Sequence, residues 1–483
     1  MPDDVQLPPK FMIRVLSQEV AASKPPIPGQ ISLPPNDVLP IPSTYQARLS
    51  ANDRMTPASH WQDVRKLFLD VKCPRDAFPN FAAGATAIIY PKNYPDDVQT
   101  LIDLMGWQPV ADIPLHLNSI PAQLFLKKGG STLRDLLTHN LDITSVPKRS
   151  FIRQLEFFTR EEREKERLRE LTASGNEQDL YDYTTRPRRT IIEFLRDFPG
   201  LTIPYEWALE LFPIIRGREF SVCNGGENLK GQPGSTLRIE ILVALVEYRT
   251  IIRKPRQGLC SRYLRHLPVG TELAVGFKNP PSRVLDPSQG QHQRPLIAVA
   301  TGTGIAPIRA LVQDRIAFTT PPPGPVLLFF GCRNKAADYF YDREWDALPG
   351  MKVIPAFSRD PVEPSEAAAL LHPRQPDGLP TAPKGDKSSA VQPIAESTDV
   401  VAFDYDAGKN YVQHRIRQYA AKVGQMMRQR PIVCVCGNAG RMPISVRGAL
   451  LDALVLSGVV ETRDMAEAWL QDGRNVTYWQ ETW

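Results

Sequence analysis

The clearest chemical signal in this 483-residue chain is a glycine-containing turn that follows a short apolar run. Leu296–Ala300 has the pattern of a buried strand, and it leads directly into Thr301–Pro307, which contains Gly302 and Gly304. Glycine lets the backbone turn tightly and approach a pyrophosphate, which then lies at the N-terminus of the following helix. Pro307 replaces the third glycine of the usual dinucleotide fingerprint, and proline suits the first turn of a helix. The same two glycines are also consistent with a purely structural turn. No Lys follows the loop, which argues against a Walker-type nucleotide site.

A second candidate lies at the end of the predicted strand Lys352–Ala356. Ser358 and Arg359 follow this strand, and a hydroxyl beside a guanidinium suits a phosphate monoester such as the 2′-phosphate of NADP. Lys409 and Tyr411 come later and could add charge and a stacking face. A Ser–Arg pair alone is also an ordinary surface feature, so its position after the glycine turn is what favours a phosphate site.

The elements that must position these residues change character along the chain. Residues 1–45 contain ten of the 46 prolines and lack sustained periodicity, which predicts a linker or an ordered arm. Residues 46–290 hold strand-like runs on either side of a mostly helical stretch at about 101–212. Residues 291–483 alternate short buried strands with helices, which is typical of an α/β domain with a parallel sheet. A proline-rich insertion at about 361–405 is expected to loop out and be mobile.

Individual segments support this division. Thr159–Glu162 has the pattern of a capping box that opens a charged helix. The predicted strands are Lys66–Val71, Thr86–Tyr90, Leu237–Val246, Leu296–Ala300, Val326–Phe330, Lys352–Ala356 and Ile432–Val435.

Composition excludes several classes of protein. The net charge of +5 is too small for a chain of this length to indicate nucleic-acid binding. No window of 18 uninterrupted apolar residues predicts a membrane span, and the N-terminus lacks the pattern of a secretory signal. The six cysteines are sparse and lack zinc-ligand spacing. We therefore expect no metal site, and reduced thiols in a cytoplasmic protein.

Taken in order, these and further motifs resemble the reductase half of the NADPH-dependent diflavin reductases, which are relatives of cytochrome P450 reductase. The resemblance is greatest to the diflavin reductases of cytosolic iron–sulfur protein assembly and covers about residues 8–483. It implies a ferredoxin–NADP reductase-like fold: a β-barrel FAD-binding domain with an α-helical insertion, and an α/β doubly wound parallel-sheet NADP-binding domain. The segments that carry it are Leu141–Thr144, Arg186–Thr190, Arg218–Ser221, Gly258–Ser261, Gly302–Pro307, Gly331–Arg333, Ser358–Arg359, Lys409–Gln413, Cys436–Asn438 and Glu481–Trp483.

The resemblance implies a set of FAD contacts. Arg218 would pair with the pyrophosphate, Phe220 would stack on the isoalloxazine, and the Ser221 hydroxyl would bond near flavin N5. The helix that begins at Gly258–Ser261 would bind the same pyrophosphate with its free N–H groups. The implied FAD-binding residues are Arg188, Arg218, Glu219, Phe220, Ser221, Gly258, Leu259, Cys260, Ser261 and Trp483.

The resemblance also implies a catalytic set of Ser221, Cys436, Glu481 and Trp483. Trp483 would stack on the flavin face that the nicotinamide must occupy, so it would have to move aside. Ser445 stands where relatives often carry an acidic residue that contacts NADP. The implied NADP-binding residues are Thr303, Ser358, Arg359, Lys409, Asn410, Tyr411, Val412 and Gln413.

The implied activity is hydride transfer from NADPH to FAD, with reduction of small acceptors such as ferricyanide. In the family, electrons continue through FMN to an iron–sulfur partner of the anamorsin type. No FMN-binding, flavodoxin-like segment is expected before residue 46, so FMN would require a further N-terminal domain. Two alternatives are a stand-alone ferredoxin–NADP reductase-like enzyme, which the helical insertion disfavours, and a non-catalytic scaffold. The presence of Ser221, Arg359 and Trp483 argues against a scaffold.

Overall fold

The structure is a computed structural model of this chain. It describes residues 9–11, 13–15, 32–73, 82–121, 123–128, 130–229, 234–249, 255–280, 290–318, 321–345, 347–361 and 410–483. Lys409, most of the predicted arm at 1–31 and the predicted insertion after residue 361 lie outside the described residues.

The described elements form a six-stranded antiparallel sheet, a five-stranded parallel sheet and two small two-stranded sheets, with a helical region beside the antiparallel sheet. The strands are β1 (Ile13–Val15), β2 (Thr44–Arg54), β3 (Val64–Lys72), β4 (Thr86–Ile89), β5 (Leu115–Leu117), β6 (Arg218–Ser221), β7 (Thr236–Ala244), β8 (Glu247–Arg249), β9 (Pro255–Gln257), β10 (Glu272–Lys278), β11 (Leu296–Thr301), β12 (Val326–Cys332), β13 (Met351–Phe357), β14 (Ile432–Gly437) and β15 (Thr477–Thr482). The α-helices are α1 (Pro95–Met105), α2 (Leu133–His139), α3 (Arg149–Leu155), α4 (Glu162–Thr172), α5 (Glu177–Leu180), α6 (Ile191–Arg196), α7 (Ala208–Leu211), α8 (Leu259–His266), α9 (Ile305–Ile316), α10 (Lys335–Asp338), α11 (Asp342–Trp345), α12 (Val412–Gln418), α13 (Ala420–Met427), α14 (Met442–Leu456) and α15 (Arg463–Gln471).

The antiparallel sheet curls into the expected barrel. Its six strands run in the order β6-β4-β10-β2-β3-β7. A bridge between Val222 and Ile241 joins the two ends, because Val222 directly follows β6 and Ile241 lies on β7. On β3, Leu67, Leu69 and Val71 are buried in the barrel core, since alternate side chains of a strand point to the same face.

Helices α1 to α7 lie between β4 and β6 in the chain, as the helical prediction for 101–212 requires. They share one hydrophobic core, which also receives Ile13 from the N-terminal arm. The arm is tied down again at Asp37, whose carboxylate lies 2.6 Å from Lys127 Nζ and 3.2 Å from His139 Nε2. The described part of the arm therefore packs against the helical region at Ile13 and again at Asp37.

The predicted capping box at Thr159–Glu162 is wrong in its details. Helix α4 begins at Glu162 with Glu161 as its N-cap, and no side chain caps it. The Thr159 hydroxyl instead donates to Glu164 Oε2 at 2.6 Å, two residues beyond the position that a capping box starting at Thr159 would use. The other oxygen of Glu164 accepts a hydrogen bond from the Gly200 amide at 2.9 Å. This glutamate therefore joins α4 to a neighbouring loop.

The parallel sheet has the strand order β13-β12-β11-β14-β15, with helices on both faces. Chain order reverses between β11 and β14, which defines a doubly wound sheet. All four strands predicted here are present, and β15 is a fifth that was not predicted. Alternate residues of β11 pack on opposite faces of the sheet. Ala298 belongs to the core on the barrel side, and Val299 belongs to the core beneath α12 to α15.

No described helix combines the length and the apolar character that crossing a membrane requires. Across the described ranges, no group of three or more His, Cys, Asp or Glu side chains is arranged to hold a metal ion.

Candidate functional site

A cleft of about 1550 Å³ lies between the barrel and the carboxyl ends of the parallel strands. The barrel contributes residues of β4, β6 and β7, among them Thr86, Phe220 and Leu242. The parallel domain contributes the loops that follow β11, β12, β13 and β14. Ligands of doubly wound sheets bind where the strand order reverses, and this cleft opens at the reversal between β11 and β14.

The glycine turn forms as predicted at this reversal. Gly302–Gly304 makes one 3₁₀ turn after β11, and α9 begins at Ile305, with Pro307 in its first turn. A Cβ atom on Gly304 would lie 2.3 Å from the carbonyl oxygen of Cys436, so only glycine lets the turn pass so close to β14. Gly437, at φ +144°, faces Thr301 from the other side. The helix N-terminus is thus presented to the cleft with its backbone N–H groups free of side chains.

Two polar atoms on the cleft wall fit a polar ligand. Thr301 Oγ1 and Asn410 Oδ1 are buried and have no hydrogen-bond partner among the described residues. Buried polar atoms usually find partners, so these two unpartnered atoms are consistent with a polar ligand in the cleft. Asn410 immediately precedes Tyr411, the N-cap of α12. The predicted NADP contacts Thr303, Tyr411, Val412 and Gln413 also line the cleft.

The predicted phosphate pair is divided between the cleft and the surface. Ser358 lines the cleft and donates from Oγ to the Cys332 carbonyl at 3.2 Å. Arg359 is exposed, and it is not among the residues of the cleft wall. Arg333 occupies the wall instead, with its guanidinium 3.9 Å from the ring centroid of Trp61. Burial lowers the pKa of Arg333, and the positive charge of Arg359 lowers it further.

Strand β6 carries the predicted flavin contacts. It pairs with β4 so that Phe220 lies opposite Ala87 and Ser221 lies opposite Thr86. Glu219, Phe220 and Ser221 line the cleft, and Phe220 packs on the barrel core. The Glu219 carboxylate lies 3.4 Å from Lys278 Nζ at the exposed edge.

The Ser221 hydroxyl donates a 2.7 Å hydrogen bond to Glu481 Oε1. Glu481 comes from β15, so this bond crosses from the parallel sheet to the barrel. Burial raises the pKa of Glu481, although the hydrogen bond from Ser221 opposes that rise. The pair therefore forms a polar contact between the two walls of the cleft.

Trp483 and Cys436, the other two residues of the implied catalytic set, differ in their exposure to the cleft. Trp483 lies on the cleft rim with 51% of its surface exposed, and its main chain bonds to Gly437 O and Ala439 N. Cys436 is paired with Glu481 across the β14–β15 ladder, but its side chain is fully buried and absent from the cleft wall. Burial raises the pKa of this thiol well above its ordinary value. Its implied contact with the nicotinamide stays a prediction, and in this structure the thiol belongs to the core.

A second group of predicted FAD residues lies outside the cleft. Gly258 is the N-cap of α8, which confirms that a helix begins there. Ser261 Oγ accepts a hydrogen bond from the Val246 amide at 2.9 Å. Burial raises the pKa of the Cys260 thiol to about 12, and the charge of Arg218 opposes this rise. Leu259, half-buried in the first turn, and Arg188, exposed at φ +53°, are likewise absent from the cleft wall.

Several cleft residues were not predicted. Thr301 belongs to the glycine-containing turn, and Arg333 lies within another of the motifs that carry the resemblance. The position of these motifs at strand ends could have predicted that both residues line the cleft. Trp61, on the β2–β3 loop, and Arg441, after β14, had no such signal. Ser445 lines the cleft on α14, at the position where the resemblance expects an acidic side chain.

A barrel joined to a doubly wound domain, with a cleft at the strand reversal, defines a flavin- and nicotinamide-binding oxidoreductase of the ferredoxin–NADP reductase-like class. Comparison with protein families supports this class. A family described as FAD binding domain matches residues 41–263, and one described as oxidoreductase NAD-binding domain matches residues 298–372.

Comparison with curated proteins narrows the class to one family. The chain is 39% identical to NADPH-dependent diflavin oxidoreductase 1 of Gibberella zeae, over 100% of this chain and 72% of that protein. The proteins of the same name in Emericella nidulans and Schizosaccharomyces pombe are 35% and 33% identical, over 100% and 91% of this chain and 72% and 65% of their own lengths. The chain belongs to the NADPH-dependent diflavin oxidoreductase family. It is an NADPH-dependent oxidoreductase whose FAD- and NADP-binding domains support electron transfer from NADPH to flavin.

Proposed function

We propose that this chain transfers hydride from NADPH to FAD in the described cleft, and that the electrons pass on to an iron–sulfur protein of cytosolic iron–sulfur cluster assembly. The observation that carries the first step is the 2.7 Å hydrogen bond between Ser221 and Glu481. It places a hydroxyl and a carboxyl group from two domains at one point of the cleft, whose wall also includes Phe220 and Trp483.

The residues present fit both cofactors. On the NADP side, Thr303 and the free N–H groups at the start of α9 would hold the pyrophosphate, because a helix N-terminus favours anions. Ser358 and Arg359 would hold the 2′-phosphate, and Lys409 would add charge. On the FAD side, Arg218 and the first turn of α8 would hold the pyrophosphate. FAD supplies a two-electron acceptor that can release its electrons one at a time.

The chain's own contribution is position and proton control. Phe220 supplies a flat apolar wall that would orient an aromatic ring and exclude water from the reacting face. The Ser221 hydroxyl holds its proton toward Glu481 Oε1 and can turn toward a ligand atom in the cleft. Glu481 Oε1 accepts this hydrogen bond while the serine keeps its proton, and burial raises the pKa of the carboxyl so that its neutral form is favoured more than in water. Trp483 has to leave the rim when the nicotinamide enters.

The test is to mix the purified, FAD-loaded chain with NADPH under anaerobic conditions in a stopped-flow instrument. The loss of flavin absorbance measures the reduction of FAD. We expect bleaching of FAD on mixing, and steady NADPH oxidation when ferricyanide is present. The matched control is Asp112→Asn, which breaks an ion pair with Arg134 in the helical region and leaves every cleft residue in place. A chain that holds FAD and is not reduced by NADPH would contradict the proposal.

The acceptor is the finer part of the proposal. The resemblance supports a cytoplasmic, anamorsin-type iron–sulfur protein, with FMN as the carrier between FAD and that partner. We expect reduction of the partner's iron–sulfur cluster, seen as bleaching of its visible absorbance, when NADPH, this chain and a separate FMN-binding domain are mixed. Omitting the FMN domain should slow this reduction strongly, because FAD buried in the cleft would be distant from the partner. Equal rates with and without that domain would contradict the assigned electron route.

A further inference from the structure

A buried charged cluster joins the barrel to the parallel domain away from the cleft wall. Arg309 on α9 donates from Nη1 to Glu240 Oε2 on β7 at 3.1 Å, and the same nitrogen donates to the Cys223 carbonyl at 3.0 Å. Arg309 and Glu240 are only 9% and 6% exposed, so water hardly screens their charges. The ion pair therefore crosses between the two domains through a dry contact.

The other residues of the cluster provide hydrogen-bond partners for the remaining polar atoms of Arg309 and Glu240. The second carboxylate oxygen of Glu240 accepts a 2.8 Å hydrogen bond from the Tyr341 hydroxyl, and the Tyr341 ring lies 4.5 Å from the Arg309 guanidinium. The remaining nitrogens of Arg309 donate to Glu344 at 2.7 and 3.2 Å. Tyr341 has φ +61°, a left-handed conformation that side chains other than glycine rarely adopt and that persists only where its surroundings hold it.

The backbones of the two domains also approach closely here. A Cβ atom on Gly225 would lie 2.0 Å from the carbonyl oxygen of Ala310 on α9. The Gly225 amide donates to Gln313 Oε1 at 3.0 Å, one turn further along the same helix. The loop after β6 is thus seated directly on α9, with no side chain between them.

The cluster connects the two walls at which the reaction takes place. Cys223 stands two residues after Ser221, and Arg309 lies in the second turn of the helix that opens at the glycine turn. A shift of α9 against β6 and β7 would move the pyrophosphate-binding turn relative to Ser221. Removing one partner of a buried ion pair leaves an uncompensated charge, so the cluster resists such a shift.

We propose that Arg309, Glu240 and Tyr341 are positioning residues that set the register between the NADP-binding turn and the flavin wall for hydride transfer. This inference rests on the proposed function. It gives the charged cluster a role in the interface: an apolar contact tolerates sliding, whereas a hydrogen-bonded charge pair has one geometry. None of the three side chains lines the cleft, so we expect them to affect the position of the nicotinamide and not its binding.

The test compares Glu240→Gln and Tyr341→Phe with the wild-type, FAD-loaded chain. Glu240→Gln keeps the shape and removes the charge, and Tyr341→Phe removes one hydrogen bond. For each variant, stopped-flow flavin reduction is measured over a range of NADPH concentrations. The measurement is repeated with NADPH deuterated at the transferred position to obtain the isotope effect. Thermal unfolding measures stability. Asp112→Asn is the control, since it breaks an ion pair within the helical region.

For Glu240→Gln we expect the limiting rate of flavin reduction to fall at least about tenfold, because small misplacements of reacting atoms slow transfer strongly. The NADPH concentration at half-maximal rate should stay within about twofold, and the isotope effect should grow as transfer becomes slower. Tyr341→Phe should show the same pattern more weakly, and Asp112→Asn should lower the unfolding temperature with an unchanged limiting rate.

A wild-type limiting rate in both interface variants would overturn the inference while leaving the proposed function in place. A wild-type chain that holds FAD and is not reduced contradicts the proposed function itself. If Glu240→Gln fails to fold with FAD, Tyr341→Phe decides: an unchanged limiting rate there overturns the inference, and a reduced rate with unchanged half-saturation supports it.

Discussion

Ser221 and Glu481 are 260 residues apart in the chain, and their side chains are joined by a 2.7 Å hydrogen bond. Ser221 ends β6 of the barrel, and Glu481 lies near the end of β15, the last strand of the parallel sheet. The bond is therefore a contact between domains as well as a feature of the cleft. Its formation depends on both domains folding and on their correct relative placement.

Replacing Ser221 with Ala should slow flavin reduction at least about tenfold, because it removes the hydroxyl that holds a proton at the reacting point. FAD content should stay near that of the wild type, since Phe220 and Arg218 remain. Ser221→Thr is the matched variant, as it keeps the hydroxyl, and it should recover part of the rate. Stopped-flow absorbance checks both, and an unchanged rate in Ser221→Ala would show that this hydroxyl is not needed.

The stability of the protein should depend on pH through Glu481. Burial raises the pKa of this carboxyl above its ordinary value of 4.5, so the folded protein holds the proton more tightly than the unfolded chain does. The resulting stabilisation is complete below about pH 4.5 and is lost as the pH rises through the folded-state pKa.

Glu481→Gln cannot ionise, so it supplies the reference for this effect. The unfolding temperature of the wild type relative to Glu481→Gln should fall as the pH is raised from about 4.5 towards neutrality. Differential scanning calorimetry over this range measures the difference. If the unfolding temperature of the wild type relative to Glu481→Gln instead rises with pH, the folded protein favours the ionised carboxylate of Glu481.

Replacing Arg359 with Ala should weaken the use of NADPH and hardly affect NADH, because only NADPH carries the 2′-phosphate. We expect a rise of about tenfold in the KM for NADPH, the size typical of one lost charge-assisted contact. Arg333→Ala is the informative companion, since Arg333 lines the cleft and Arg359 does not. If Arg359→Ala affects NADPH and NADH equally, the assignment of this residue to the 2′-phosphate is wrong.

Removing the Trp483 ring should make nicotinamide binding tighter. In the proposed function the ring competes with the nicotinamide for one face, and a competitor that is removed no longer has to be displaced. Trp483→Ala should therefore lower the Kd for NADP⁺ several-fold, whereas Trp483→Phe, which keeps a stacking ring, should lie closer to wild type. Titration followed by flavin absorbance measures both, and weaker binding of NADP⁺ to Trp483→Ala would contradict the competition.

Cys436→Ala separates a core role from a catalytic role. The side chain is fully buried, so its removal leaves a small cavity and should reduce stability by about 1 kcal/mol. The limiting rate of flavin reduction should stay within about twofold, because the thiol does not reach the cleft wall. Urea unfolding and stopped-flow reduction measure the two effects. A large loss of rate with unchanged stability would restore the implied contact with the nicotinamide.

Local patterns predicted much of the fold. The strands at Val326–Phe330 and Ile432–Val435 were predicted because continuous apolar runs of this length are typical of strands buried on both faces. β15 was not predicted, since Thr477–Thr482 is polar and only half-buried at the edge of the sheet. The capping box at Thr159 was predicted from spacing alone, whereas in the structure Glu161 is the N-cap and Glu164 bonds to both Thr159 and the Gly200 amide.

For the candidate site, too, some features could be predicted from the sequence and others could not. Amino-acid types and order indicated the glycine turn at Gly302–Gly304, the strand end at Ser358 and the helix start at Gly258, because backbone conformation and capping depend on near neighbours. The tertiary structure alone decided that Glu481 bonds to Ser221, that Arg333 and not Arg359 lines the cleft, and that Cys436 is buried behind it. Which side chains meet across a domain boundary depends on how two separately folded sheets pack together, and no spacing within either sheet specifies that contact.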